Sequence, residues 1–220
     1  MSDKVFEGRI ALVTGASRGL GFAVAQALGA GGAQVIAVAR TVGGLEELDD
    51  RIAEAGGPRA VLVPLDLTDG DGIDRLGAAL FERFGRVDAL IHCAAQGAPL
   101  TPVSHVSPKN LADQFAVNAL ATHRLIASID PLLRQSENPK AVFCVDDKGG
   151  ASFWGAYGAS KAAAAALAES YAAEVRGVDV HLFEPPAMPT ALRARTHPGE
   201  DRDAMSKTTD VAADLLALLG

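Results

Sequence analysis

Two side chains four residues apart carry the clearest chemical signal in the chain, Tyr157 and Lys161 in Tyr157-Gly158-Ala159-Ser160-Lys161. On a helix that spacing puts a phenol and an ammonium on one face. A free phenol titrates near pH ~10, too high for proton traffic at neutral pH, and an adjacent cation favours the phenolate and draws the value down. A second signal lies far upstream, in the glycine-rich turn Thr14-Gly15-Ala16-Ser17-Arg18-Gly19-Leu20-Gly21. Such a turn lets the backbone approach a pyrophosphate, whose charge then meets the free N–H groups of the following helix; the ordinary alternative is a tight strand-to-helix turn. The next apolar run ends at Arg40, where a site for an unphosphorylated ribose would carry Asp or Glu. Arg40 and Arg18 together offer a cationic pocket for a 2′-phosphate, which favours NADP(H) over NAD(H); the alternative for Arg40 is a solvated surface charge. Asp66, after the third run, can accept from an adenine amino group or serve only as an N-cap.

The elements that must position these groups alternate. Near-continuous apolar runs at 9–14, 34–39, 60–65, 88–93, 140–145 and 178–183 predict strands covered on both faces. Stretches at helical spacing over 19–30, 45–55, 72–84, 108–133, 155–175 and 209–219 predict the helices between them. Six strands joined by helical crossovers give an α/β fold, a Rossmann-type doubly wound parallel sheet with helices on both faces. The chain reads as one domain over 1–220, without linker or internal repeat. Residues 185–203 break the pattern with Pro185, Pro186, Pro189 and Pro198, and read as a long functional loop.

Composition narrows the function classes. Of the 220 residues 49% are hydrophobic and 21% charged, enough apolar side chain for a sizeable core. A net charge of −7 has the wrong sign for binding nucleic acid or an anionic membrane. The charged start and the absence of a long apolar stretch predict a soluble, cytoplasmic protein. Two cysteines, Cys93 and Cys144, and five scattered histidines leave no metal-ligand spacing. The cysteines read as small buried hydrophobes, with a redox pair as the alternative.

The glycine turn and the Tyr-Lys pair together resemble the short-chain dehydrogenase/reductase superfamily over nearly the whole chain. The family's TGxxxGxG motif is matched by Thr14, Gly15, Gly19 and Gly21. Its catalytic Asn, which holds a proton-relay water, corresponds to Asn118; its Tyr general acid/base and its Lys, which also bonds the nicotinamide ribose, correspond to Tyr157 and Lys161. The segment after the sixth strand matches Pro185 to Thr190, and the resemblance implies that Thr190 contacts the nicotinamide carboxamide. The cofactor-binding set implied is Gly15, Ser17, Arg18, Gly19, Leu20 and Gly21 in the turn, with Arg40, then Asp66 and Leu67. Further along the chain it takes in Cys93, Ala94 and Ala95, then Tyr157 and Lys161, and finally Pro185, Met188 and Thr190. The implied reaction is hydride transfer between NADP(H) and a small-molecule carbonyl or alcohol.

Several positions depart from the family pattern. Its NNAG segment reads His92-Cys93-Ala94-Ala95, and the PG pair reads Pro185-Pro186. Where the family ends a strand in Ser-Ser, the second hydroxyl orienting the substrate carbonyl, this chain has Cys144-Val145-Asp146-Asp147. Asp146 or Asp147 then falls at the substrate, or is merely structural, or Ser152 reaches in instead. An ionised carboxylate there would oppose Lys161 and raise the Tyr157 pKa. The family continues past the last helix into a seventh strand, whereas this sequence reaches Gly220 at that point, so six strands are expected. The helices at 108–133 and 155–175 resemble the family's dimerisation surface and predict a homodimer. Met188 and Leu192 suggest a moderately apolar ligand; Arg193 and Arg195 hint at an anionic group or are solvated charges. Two functions stay open: an NADP(H)-dependent oxidoreductase, and a non-catalytic NADP(H)-binding sensor or partner subunit that has lost the polarising Ser.

Overall fold

The structure, a computed structural model, describes residues 4–220. Six strands form one parallel sheet: β1 (Ile10–Thr14), β2 (Gln34–Ala39), β3 (Val61–Pro64), β4 (Ala89–His92), β5 (Lys140–Cys144) and β6 (Asp179–Phe183). Their order is β3-β2-β1-β4-β5-β6, with every neighbouring pair parallel. The strand order reverses between β1 and β4, and at such a switch point the crossover helices leave to opposite faces and open a crevice at the carboxyl ends.

The period of two in each strand divides the core. Ala11, Val13, Val35, Ala37 and Ile91 point to one face, where α1 (Gly19–Ala30), α2 (Val42–Glu54) and α8 (Thr208–Ala217) cover them with Val24, Leu28, Leu48, Ile52 and Leu215. Leu12, Ile36, Val38, Leu90 and Phe143 point to the other, under α3 (Gly70–Phe84), α5 (Ala121–Leu133) and α6 (Gly155–Glu174), which contribute Ile73, Leu125, Ile129 and Tyr171. Each fully buried Leu or Ile contributes about 1.5–3 kcal/mol by leaving water. In β1, β2, β4 and β5 the apolar runs are continuous because both faces are covered, whereas the edge strands β3 and β6, also expected to be covered, are only partly buried.

Local signals set the helix ends. Asp69 caps α3 by accepting from Gly72 N at 2.9 Å, and Gly85, at φ 73°, turns the chain out of its last turn. The N-cap alternative for Asp66 is therefore overturned, since the cap is three residues further on. Two predicted elements differ. The helix expected over 108–133 is α4 (Pro108–Phe115) and α5 joined by a π turn, Ala116–Leu120, which widens the helix around Asn118. The loop expected over 185–203 contains a helix, α7 (Ala191–Thr196), capped by Thr190 Oγ1, which accepts from Arg193 N at 3.2 Å. No helix among the described residues is long and apolar enough to cross a membrane.

Candidate active site

At the carboxyl ends of the strands lies a cavity of about 740 Å3, within the size range of small-molecule and cofactor sites. One end is built from backbone. Gly15 follows β1 at φ 70°, and a Cβ there would stand 2.9 Å from Ala94 N. Gly19 opens α1 at φ 62°, against the Thr190 methyl. Both positions need glycine. The first turn of α1 has no side-chain cap, so its N–H groups remain available to an anion. Ser17, Arg18, Leu20, Gly21, Arg40 and Leu67 border the same end. Arg40 Nη1 lies 3.6 Å from Asp66 Oδ2, and both side chains are well exposed. Burial pulls the Asp66 carboxyl upward, but hydrogen bonds from Thr68 and the Arg40 charge outweigh it and hold it below its usual value. A glycine cradle, an uncapped helix N-terminus and two arginines fit a phosphorylated dinucleotide. Among the described residues no cluster of side chains could hold a metal ion.

The other end is built from side chains. Tyr157 and Lys161 emerge from one face of α6, each 6% exposed. The Tyr157 hydroxyl donates to Asp146 Oδ2 at 3.0 Å, and Lys161 Nζ donates to the Cys144 carbonyl at 2.5 Å. Asp146 is also 3.2 Å from Lys148 Nζ. Burial and the Asp146 carboxylate together push the Tyr157 phenol well above its ordinary value, against the lowering expected from the Tyr-Lys spacing alone. Burial lowers the Lys161 ammonium, with Cys144 and Asp146 partly offsetting it.

Asn118 sits in the π turn, 2% exposed. Its Oδ1 accepts from Gln96 N at 2.7 Å, and its Nδ2 donates to Gln96 O at 2.8 Å and to Ser160 Oγ at 2.9 Å. The side chain pins the segment after β4 to α6. Its own carbonyl accepts from the Thr122 hydroxyl at 2.7 Å. Because that hydroxyl is committed as a donor, His92 Nε2 must carry the proton it donates to Thr122 Oγ1 at 3.0 Å. His92 Nδ1 then accepts from the Thr14 hydroxyl at 2.7 Å. Burial, helped by the Lys161 charge, lowers the His92 pKa to about 3.

The remaining expected residues divide. Cys93, Ala94, Ala95, Pro185, Met188 and Thr190 border the cavity, as does Asp146. Asp147 and Ser152 do not: Asp147 is exposed, with its backbone N–H donating to Glu184 Oε1 at 3.2 Å, and Ser152 lies exposed in the turn before α6. Of the three substrate candidates, only Asp146 is brought to Tyr157. Sequence reasoning missed Gln96, Lys148 and Trp154, which border the cavity. The Trp154 ring lies 5.4 Å from Tyr157 and 5.7 Å from His197, an aromatic wall beside the phenol. As the sequence's single tryptophan, three residues before the Tyr, it carried a compositional signal. Arg193 is held by Glu200 at 2.6 Å, whereas Arg195 donates to Gly97 O at 2.9 Å.

Residues 9–201 match the family model described as short chain dehydrogenase. The chain belongs to this family. It is 31% identical over 220 residues to the uncharacterized oxidoreductase YciK of Escherichia coli K12, covering 96% of this chain and 86% of the relative. A short chain dehydrogenase of Shigella flexneri 2a, crystallised with NADP, superimposes at TM-score 0.95 and 30% identity, over 100% of this chain and 94% of the other. One of E. coli CFT073, crystallised with NADPH, gives the same TM-score, identity and coverage. The family's fold binds a nicotinamide cofactor at the switch-point crevice, where this cavity lies.

Proposed function

We propose that this chain is an NADP(H)-dependent oxidoreductase that interconverts a carbonyl and an alcohol, with Tyr157 as general acid/base. The observation that carries the reading is the pair Tyr157 and Lys161, presented from one face of α6 into the cavity that the glycine turn also borders. The turn from Gly15 to Gly21 and the start of α1 would hold the pyrophosphate, Arg18 and Arg40 the 2′-phosphate, and Lys161 and Thr190 the nicotinamide half. The NADP and NADPH bound by the two structural relatives support this choice of dinucleotide. The bound nicotinamide supplies or accepts the hydride. Tyr157 supplies the proton of a reduction from its hydroxyl, and Asn118 keeps α6 and the segment after β4 in register around it. A substrate oxygen must displace Asp146 from the Tyr157 hydroxyl, so the carboxylate competes with substrate for the same proton. Homodimer packing is proposed through the helices over 108–133 and 155–175, the first of which leaves Leu111 and Leu120 exposed.

The test is a nicotinamide-fluorescence titration with NADPH and NADH, followed by a panel of diketones and quinones with the absorbance of the reduced cofactor monitored. Tighter NADPH binding with oxidation on any carbonyl is the expected result. Tight binding with no turnover across the panel would transfer the reading to a non-catalytic cofactor-binding protein, which the hold of Asp146 on the Tyr157 proton favours. Preferential NADH binding would remove the assigned role of Arg40.

A further inference from the structure

Cys93 and Cys144 stand at the carboxyl ends of neighbouring parallel strands. The register pairs His92 of β4 with Phe143 of β5, so the next residue on each side brings the two cysteines opposite each other. Their Sγ atoms are 3.4 Å apart, both are free thiols, and both border the cavity. Directly opposed residues on adjacent strands lie roughly 4.8 Å apart, inside the roughly 4.4–6.8 Å Cα separation that a disulfide spans. Lys161 Nζ is fixed to the Cys144 carbonyl. A merely structural pair of small hydrophobes has no need to face a polar cavity beside an ammonium.

We infer that Cys93 and Cys144 form a dithiol site that hydroperoxides oxidise to a disulfide when the cavity is empty, and that bound NADP(H) shields. The shielding half rests on the cofactor reading above. Cys144 is the attacking sulfur: the hydrogen-bond contact with Cys93 and the Lys161 charge hold its thiol below the ordinary value, while the same contact and burial push the Cys93 thiol up. The Cys144 thiolate attacks a peroxide oxygen. The S–O bond forms, the O–O bond breaks, and the leaving oxygen takes a proton to depart as an alcohol, or as water from hydrogen peroxide. The Cys93 sulfur then attacks the Cys144 sulfenic acid, the S–S bond forms, the S–O bond breaks, and water leaves with the Cys93 proton. Two thiols lose two electrons and two protons, and the hydroperoxide is reduced.

The full-length protein is treated with hydrogen peroxide, with and without NADPH, and free thiols are counted after denaturation alongside intact mass and peptide mapping. Expected without cofactor are the loss of both thiols, a mass lower by two hydrogens, a mapped Cys93–Cys144 disulfide, and recovery of both thiols on reduction. With NADPH at ten times its dissociation constant, the rate falls by about tenfold, because only the empty fraction reacts. Cys93→Ser and Cys144→Ser should each form no internal disulfide. Two thiols that still titrate after peroxide, or a Cys144 carried only to sulfinic acid, would overturn the site. A fluorescence titration on the same sample separates the two readings. If NADPH binds and does not slow the reaction, the shielding is wrong. If NADPH does not bind and the disulfide forms, the dithiol site stands and the cofactor reading falls.

Discussion

The two ends of the cavity are made of different material. At the glycine-turn end, what a ligand meets is mostly backbone: the bend at Gly15, the start of α1, and the close approach of the Ala94 amide. At the Tyr157 end, the proposed function rests on side chains brought in from separate elements, with Asp146 after β5, Tyr157 and Lys161 on α6, and Asn118 in a π turn. Backbone-built sites are tied to the fold and survive most substitution around them. Side-chain-built sites can be rewritten by a single residue while the fold stays intact, and Asp146 is the residue here that meets the Tyr157 hydroxyl. The fold thus carries the dinucleotide assignment, and local electrostatics decide the chemistry.

The comparison breaks most sharply at Tyr157. Tyr157→Phe removes the proton donor and leaves the glycine turn untouched, so kcat should fall by about 10²–10⁴-fold while NADPH affinity by fluorescence stays within about threefold. A large loss of affinity would mean that the two ends are not separable. The next effect belongs to the other end. Arg40→Ala removes a charge-assisted contact worth about 1.5–3 kcal/mol, so the NADPH dissociation constant should rise by about 10–100-fold with NADH unchanged. Equal weakening of both cofactors would return Arg40 to its role as the ion-pair partner of Asp66.

How much of each end could be read in the sequence follows from the same division. The central strands announced themselves because burial on both faces makes apolar runs, and the glycine turn because positive φ at Gly15 and Gly19 demands glycine. The helix α7 was hidden by the prolines around it, although Thr190 as cap followed by Ala191-Leu192-Arg193-Ala194 was a readable start. The π turn at Asn118 leaves no periodic signature. Whether Asp146, Asp147 or Ser152 meets Tyr157 depends on the path of the turn between β5 and α6, which spacing alone left open in three ways. The contact of Cys93 with Cys144 needed strand register, a tertiary fact.

Asp146→Ser sharpens the contrast further. It replaces a carboxylate acceptor by a hydroxyl that can donate to a substrate oxygen, and it removes a charge that raises the Tyr157 pKa. Alcohol oxidation needs the deprotonated phenol, so its pH profile should move to lower pH by about one unit or more, an effect of roughly tenfold at a fixed pH below the midpoint. A profile that does not move would show that Asp146 does not act on the proton of Tyr157, whatever happens to the rate.

The smallest expected effect tests the beam between the two ends. His92 spans Thr14, beside the glycine turn, and Thr122, which bonds the Asn118 carbonyl. Its folded pKa of about 3 lies below the unfolded value of roughly 6.5. Between these values the unfolded chain binds a proton that the folded chain does not, so stability is complete above roughly pH 6.5 and falls as pH drops toward the folded pKa. From pH 6.5 to 5.5 this one group should remove about 1 kcal/mol. His92→Asn keeps hydrogen-bonding capacity without a titrating ring. The difference between the two proteins in urea-unfolding free energy, measured at both pH values, should therefore shrink or grow by that amount in favour of the variant at the lower pH. A difference independent of pH would mean that the imidazole accepts a proton in place, giving up the bond that its Nδ1 accepts from the Thr14 hydroxyl.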